Sequence, residues 1–171
     1  VRGINIEIGT SNPGAVGLAI PSAQYSTVED VRVDATGAYA GMRGIVGTNV
    51  MVNLEVVGGR FGIVTSFHGG GPSIAGLTLR GQTEAGLLVD SGTVSVTGFD
   101  IEQPANGYAV KNPTPFTGCG QCNSVTLYDG IIRVNNANLP LIYNREQENL
   151  YLGNVYVSGP AMLVDNGAGP V

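Results

Sequence analysis

The stretch MVNLEVVGGRFGIVTS, residues 51–66, contains two short apolar runs separated by the corner Gly58-Gly59-Arg60. Each run is too short for a helix, and alternating apolar and polar residues are typical of a half-buried strand. Similar segments begin at residues 4, 31, 54, 77, 99, 131 and 155, at separations of 27, 23, 23, 22, 32 and 24 residues. This spacing indicates an internal repeat with one insertion.

A second series of strand-like segments trails the first, at 15–20, 43–47, 61–66, 85–91, 108–112, 141–144 and 162–166, and a weaker third series precedes it. Each repeat is therefore predicted to hold about three short strands joined by Gly, Asn, Asp or Pro corners. Sandwiches and closed barrels do not need the same strand at a constant period, whereas a parallel β-helix does. We predict an all-β fold, a single-stranded right-handed parallel β-helix (β-solenoid) of about six to seven coils of about 23 residues.

The inward side chains follow from the two-residue period of a strand. The predicted axial stacks contain Ile4 and Ile6, Val31 and Val33, Leu54 and Val56, Leu77 and Leu79, Phe99 and Ile101, and Val155 and Val157. Ser91, Asn112, Asn144 and Asn166 recur at one corner. This recurrence predicts a side-chain ladder, with the ordinary preference of turns for asparagine as the alternative.

Residues 1–171 are interpreted as one β-helix domain and part of a longer solenoid, because the chain begins at Val1 and shows no signal peptide or cap. The segment 112–124, NPTPFTGCGQCNS, is predicted to be an extended loop insertion, because it falls in the longest repeat and is rich in Pro, Gly and Cys. Uncapped parallel edges also predict a homo-oligomer or end-to-end stacking with further coils.

Composition excludes several classes of partner. The chain is 43% hydrophobic and only 12% charged, with a net charge of −5 and no basic patch, so nucleic acid is not an expected partner. It has no apolar run of the roughly 20 residues that a membrane helix requires, so membrane insertion is not expected. One lysine and an abundance of Asn, Thr and Gly suggest a secreted or cell-surface protein.

Several segments together resemble the pectate-lyase superfamily of right-handed β-helix proteins, in its polygalacturonase-related branch. They are NIEIGTSNPGAVGL (5–18), STVEDVRVD (26–34), RFGIVTS (60–66), LTLRGQTEAGLLVDSG (77–92) and LYLGNVYVSG (150–159). The resemblance implies a secreted protein that binds or cleaves a polysaccharide. The branch's paired Asp-Asp and Arg-Ile-Lys and the calcium-binding aspartates of pectate lyases are missing, so no catalytic residue is carried over.

Outward positions of the first series supply the candidate site residues. Carboxylates on adjacent coils of a parallel stack lie about 5–10 Å apart, the range that glycosidases use. The predicted catalytic residues are Glu55, Asp100 and Glu102; the predicted substrate-binding residues are Arg32, Asp34, Arg80, Arg133 and Tyr156. Arg133 is assigned to the column of Asp100.

These residues predict a glycoside hydrolase or polysaccharide lyase that acts on a polysaccharide. Ordinary cross-strand pairing of Arg with Asp or Glu on a solvated sheet is the structural alternative. A non-catalytic carbohydrate-binding or adhesive solenoid and a structural solenoid of a filament or surface layer are the functional alternatives.

The segment Cys119-Gly-Gln-Cys122 is a disulfide candidate that would staple the loop in an oxidising compartment. Reduced thiols, a redox site or a zinc site are the alternatives, although zinc would need more ligands than His68 supplies. His68 is interpreted as a turn residue, with general acid–base catalysis as the alternative. No metal site or cofactor is predicted, except calcium if the protein is a lyase.

Overall fold

The computed structural model describes residues 1–21, 25–45, 48–66, 71–113, 123–145 and 149–167. Its regular elements in these ranges are strands: β1 (Arg2–Glu7), β2 (Val16–Ala19), β3 (Thr27–Asp34), β4 (Ala40–Ile45), β5 (Val50–Val57), β6 (Phe61–Ser66), β7 (Ser73–Arg80), β8 (Ala85–Ser91), β9 (Thr93–Glu102), β10 (Tyr108–Asn112), β11 (Ser124–Arg133), β12 (Ile142–Asn144), β13 (Asn149–Val157) and β14 (Val164–Asp165).

The odd-numbered strands form sheet A, in the order β1-β3-β5-β7-β9-β11-β13, and the even-numbered strands form sheet B, in the order β14-β12-β10-β8-β6-β4-β2. Neighbouring strands in both sheets are parallel, so each coil adds one strand to each sheet. The result is a parallel β-solenoid of about six turns with about 24 residues per turn. The predicted all-β solenoid is confirmed.

Each coil contains two strands, not the three that the sequence predicts. The third and first series fuse into one bent strand, because a single residue with positive φ turns the chain without ending its pairing. In β5 that residue is Asn53 (φ 55°), and its register neighbours in β3 and β7 are Asp30 (φ 53°) and Gly76 (φ 74°). Asn, Asp and Gly tolerate this left-handed conformation best.

Side chains at the bend connect adjacent coils. Asn53 Nδ2 donates to Asp30 Oδ1 at 2.9 Å, and Asn154 makes the equivalent bond to Asp129. An asparagine ladder was predicted only at the other corner, which contains Asn112 and Asn144. There, the structure confirms one step, since buried Asn112 donates to Asn144 Oδ1 at 2.9 Å.

The core lies between the two sheets and contains the predicted stacks of the inner coils. Val33, Val56, Leu79 and Ile101 are fully buried at successive register positions. Ile4 is exposed, and Ile6, Val155 and Val157 are only partly buried, because an end strand has a neighbouring strand on one side only.

The predicted register of β11 is wrong, by one residue for the segment that starts at Ile131 and by two for Arg133, which lies opposite Glu102 and not Asp100. Gly130, not Ile131, lies opposite Phe99, and Ile132 is the buried residue that continues the stack of Ile101. The Phe99 ring occupies the space that a side chain at Gly130 would need, since an ideal Cβ there would lie 2.4 Å from the ring. Arg133 therefore joins the column of Glu102, and Ile131 takes the place beside Asp100.

A second apolar cluster, of Ala40, Phe61, Val64, Ala85 and Leu88, covers the side of sheet B that faces away from the main core. The cluster lies next to an ion-pair group, in which the Glu84 carboxylate accepts from Lys111 Nζ at 2.8 Å and from Arg60 Nε. Burial opposes ionisation of Glu84, but the hydrogen bonds from Lys111 and Arg60 outweigh it and lower the pKa of this carboxyl.

Candidate functional site

The bend divides the outward surface of sheet A into two faces. The charged face follows the bend and has two columns: Asn5, Arg32, Glu55, Thr78, Asp100, Ile131 and Tyr156 in one, and Glu7, Asp34, Val57, Arg80, Glu102 and Arg133 in the other. The uncharged face precedes the bend and runs from β5 to β13; on β1 and β3 the same surface carries Arg2 and Glu29. Its residues are Val50, Ser73, Ser95, Thr126 and Tyr151 in one column and Val52, Ala75, Thr97, Tyr128 and Gly153 in the other.

All eight predicted catalytic and substrate-binding residues lie on the charged face. Asp100, Glu102, Arg80 and Arg133 form one cluster, whereas Glu55 and Arg32 lie on earlier coils. Glu55 is two register steps from Asp100, which places their backbones about 9.6 Å apart. Tyr156 is exposed at the end of the column, beside Ile131.

The predicted carboxylates already have partners within the protein. Arg32 Nη1 lies 2.6 Å from Glu55 Oε1. Glu102 Oε1 accepts from Asn135 Nδ2 at 2.9 Å, and its Oε2 accepts from the Gly81 amide at 3.2 Å.

Asp100 is the most strongly engaged of the three. Arg133 donates to both of its oxygens, at 2.7 and 2.8 Å, and Arg80 Nη2 donates to Oδ2 at 3.0 Å. The hydrogen bonds from Arg133, supported by the charges of both arginines, lower the pKa of Asp100 although partial burial opposes this. A carboxyl with a lowered pKa is a poor general acid at neutral pH.

Asp34 has a local partner. Its Oδ1 accepts from the Thr36 amide at 3.0 Å. The Thr36 side-chain and backbone hydrogen bonds lower the pKa of this carboxyl. Asp34 therefore supports the turn after β3, and its predicted contact with substrate stays a prediction.

A shallow pocket of about 230 Å³ lies on sheet A where the charged face meets the bend. It is lined by Asn5, Asp30, Val31, Arg32, Asn53 and Glu55. Its amide, carboxylate and guanidinium groups provide both donors and acceptors, which is the combination that recognises hydroxyl groups. Of the predicted residues, this pocket contains Glu55 and Arg32 and adds Asp30, Asn5 and Asn53.

A second concavity, of about 530 Å³, lies at the corner that leads from sheet A to sheet B. Its lining includes Pro13, Thr36, Tyr39, Arg60 and Thr83 together with the turn glycines Gly37, Gly58, Gly59 and Gly81. None of the predicted site residues lines it. The Arg60 side chain in its wall is already bound to Glu84.

The aromatic pair of the uncharged face, Tyr128 and Tyr151, was not among the predicted site residues. Tyr128 and Tyr151 are 43% and 59% exposed and lie on neighbouring coils. Both rings approach Gly153, since an ideal Cβ there would lie 2.4 Å from Tyr128 Cδ2 and 3.2 Å from Tyr151 Cε1. The alternation of apolar and other residues in SVTLYDG and NLYLGN predicts that both tyrosine side chains face outward, and it is the signal that could have identified them.

Three predicted features lie outside the described residues. They are Cys119, Cys122 and His68, and most of the predicted 112–124 loop is outside with them. In the described part of the chain, no group of three His, Cys, Asp or Glu residues is arranged to hold a metal ion. No helix long and apolar enough to cross a membrane is found among the same residues.

Acid should weaken the contribution of the Asp100 ion pairs to stability. Because the pKa of Asp100 is lower in the folded chain than its ordinary value of 3.8, its ion pairs stabilise the fold above that pH and are lost as pH falls further. We expect Asp100→Asn to reduce the free energy of unfolding at pH 7 by no more than about 1 kcal/mol, since water screens the half-exposed arginines. Urea titrations at pH 7 and pH 3 should show the difference between wild type and variant shrinking in acid. A constant difference would contradict this assignment.

The sequence matches no protein-family model, and no curated protein or solved structure shows significant similarity to it. The fold is therefore established from the sheet topology, and the likeness to the pectate-lyase superfamily stays a prediction.

Proposed function

We propose that this chain is a polysaccharide-binding β-solenoid that holds a glycan on the outward surface of sheet A without cleaving it. The observation that carries the proposal is the pocket lined by Asn5, Asp30, Arg32, Asn53 and Glu55. Its dense donors and acceptors suit sugar hydroxyls. It opens onto a sheet whose seven strands span about 29 Å along the axis, enough for an extended chain of several sugars.

The hydrogen bonds and ion pairs of the predicted carboxylates favour polysaccharide binding over hydrolysis. A glycoside hydrolase needs one carboxyl that is protonated at working pH and a second that is free to attack or to activate water. Asp100 is held ionised by Arg80 and Arg133, and Glu102 is bound by Asn135 and the Gly81 amide. Neither is available for these roles as it stands.

The proposal includes a distant relation to the pectate-lyase superfamily and a secreted location. The parallel solenoid supports that relation at the level of the fold. A calcium requirement belongs to it only if the chain proves to be a lyase.

Affinity electrophoresis against neutral and acidic polysaccharides tests the proposal. At least one polysaccharide should retard the chain, and Asn5→Ala should weaken its binding about three- to tenfold, because a hydrogen bond to the sugar is lost. Asn106→Ala, at an exposed asparagine in the turn between β9 and β10 and outside the pocket, is the matched control. If no polysaccharide retards the chain, the structural or filament-forming alternative takes its place.

Hydrolysis at the same pocket is the second candidate, because two carboxylates, Asp30 and Glu55, line it together. If this candidate is correct, wild type releases new reducing ends, and Glu55→Gln and Asp30→Asn each reduce that rate at least 100-fold while binding persists. If wild type produces neither reducing ends nor unsaturated products, the hydrolase and the lyase are both excluded.

A further inference from the structure

The uncharged face differs sharply from the charged face beside it. From β5 to β13 its ten residues include no Asp, Glu, Lys or Arg, and eight of the ten are exposed. Val50, Val52, Tyr128 and Tyr151 give it apolar surface, and Ser73, Ser95 and Thr97 give it hydroxyl groups. The apolar residues lie at the two ends of the face, the valines on β5 and the tyrosines on β11 and β13, and the hydroxyl groups lie between them.

We infer that the uncharged face binds a neutral, extended polysaccharide, with sugar rings stacked on Tyr128 and Tyr151. This inference rests on the proposed function and names the class of glycan. Tyrosine offers a rigid apolar ring with a polar hydroxyl tip, which suits a pyranose that has one apolar face and hydroxyl groups at its rim. Gly153 leaves the two rings room to lie against the sheet.

The charge distribution excludes a polyuronate as the preferred ligand. The cations on the outward surface of sheet A, Arg2, Arg32, Arg80 and Arg133, are each paired with a carboxylate. The bend that borders the uncharged face adds Asp30 and Asp129, whose negative charge disfavours a polyanion. A neutral glycan avoids this repulsion and needs no free cation.

The dimensions of the face favour a polysaccharide over a second copy of the chain. Four register steps separate β5 from β13, so the face is about 19 Å long, and three residues of each strand make it about 10 Å wide. That is roughly 190 Å², well below the about 800 Å² per partner that a stable protein interface buries. A narrow axial strip matches a single extended glycan.

Affinity electrophoresis with a neutral glucan, a neutral mannan, polygalacturonate and alginate tests the inference. We expect a neutral polymer to retard the chain more than either uronate polymer. Tyr128→Ala and Tyr151→Ala should each weaken this binding about three- to tenfold, and the corresponding Phe variants should retain most of it. Circular dichroism melts check that each variant is folded.

The outcomes separate this inference from the proposed function. Three outcomes would overturn the inference: binding of uronate polymers alone, a loss of affinity in Tyr156→Ala as large as that in Tyr151→Ala, or no loss of affinity in either Tyr128→Ala or Tyr151→Ala. In each case the affinity of Asn5→Ala still tests the proposed function. A concentration-dependent dimer that Tyr151→Ala abolishes would overturn it in favour of a second copy. If no polymer of either class binds, both fail together.

Discussion

Replacing Gln103 by Leu is expected to lower the free energy of unfolding by about 3–5 kcal/mol. The Gln103 side chain is fully buried at the corner between coils. Its Oε1 accepts from the amides of Asn135 and Asn136, at 3.2 and 3.0 Å, and its Nε2 faces the Leu139 carbonyl at 3.3 Å. Leucine fills the space but leaves these backbone groups without a partner. Urea denaturation followed by circular dichroism measures the loss.

Gln82→Leu is the matched control. Gln82 occupies the corresponding corner one coil earlier in the stack and donates to the carbonyls of Val56, Gly58 and Arg80. Its buried Oε1 has no partner, so leucine here removes an unsatisfied oxygen and orphans no amide. We expect a loss of about 1–2 kcal/mol. Equal losses at the two positions would show that the amide-accepting oxygen of Gln103 is not what holds its corner.

Gly62→Val is expected to lower the free energy of unfolding by about 3 kcal/mol or more, or to prevent folding. An ideal Cβ at Gly62 would lie 2.6 Å from the Gly86 carbonyl oxygen and 2.9 Å from Leu79 Cδ2. The backbone of β8 cannot move away, because it is paired on both sides within sheet B. Thermal unfolding by circular dichroism, with soluble yield as a second readout, measures the effect.

The same register column provides the opposite change as a control. Ala109 lies opposite Gly86, one coil further along, and is fully buried. Ala109→Gly removes one methyl group and adds chain entropy to the unfolded state, at a loss of about 1–2 kcal/mol. If Gly62→Val is as mild as this control, the coils are less tightly stacked at this column than the distances indicate.

The repeat could be predicted from the sequence because stacking imposes it. Val33, Val56 and Leu79 must occupy equivalent places for their side chains to meet along the axis, and that requirement leaves a constant spacing in the chain. The bend in sheet A leaves no comparable pattern in the sequence. Its positions are filled by Asp30, Asn53 and Gly76 in turn, and the residue types share only a tolerance of positive φ. Two fused segments therefore looked like separate strands.

The error in β11 has a local cause. Ile131 and Ile132 are equally apolar, so hydrophobic alternation alone cannot choose between them. Phe99 on the preceding coil favours the observed register, because its ring occupies the space that a side chain at position 130 would need. Contacts across a 31-residue separation of this kind are invisible to a local pattern.

The positions of the candidate site residues could be predicted from the sequence, but their hydrogen-bond and ion-pair partners could not. Alternation placed Glu55, Asp100 and Glu102 outward, as the structure shows. Their partners depend on which side chains meet across coils, as when Arg133 turns back to Asp100 from the neighbouring column. The uncharged face was missed because its tyrosines belong to the series of segments that seemed weakest.

The most direct test of the central claim measures retention and cleavage together on the same polysaccharides. The intact chain is incubated with each polymer, and bound protein, new reducing ends and unsaturated products are measured in parallel. If the outward surface of sheet A binds a polysaccharide without cleaving it, at least one polymer retains the chain and neither kind of product forms. Retention by that polymer is weaker for Asn5→Ala. Products that wild type releases and that Glu55→Gln abolishes would contradict it.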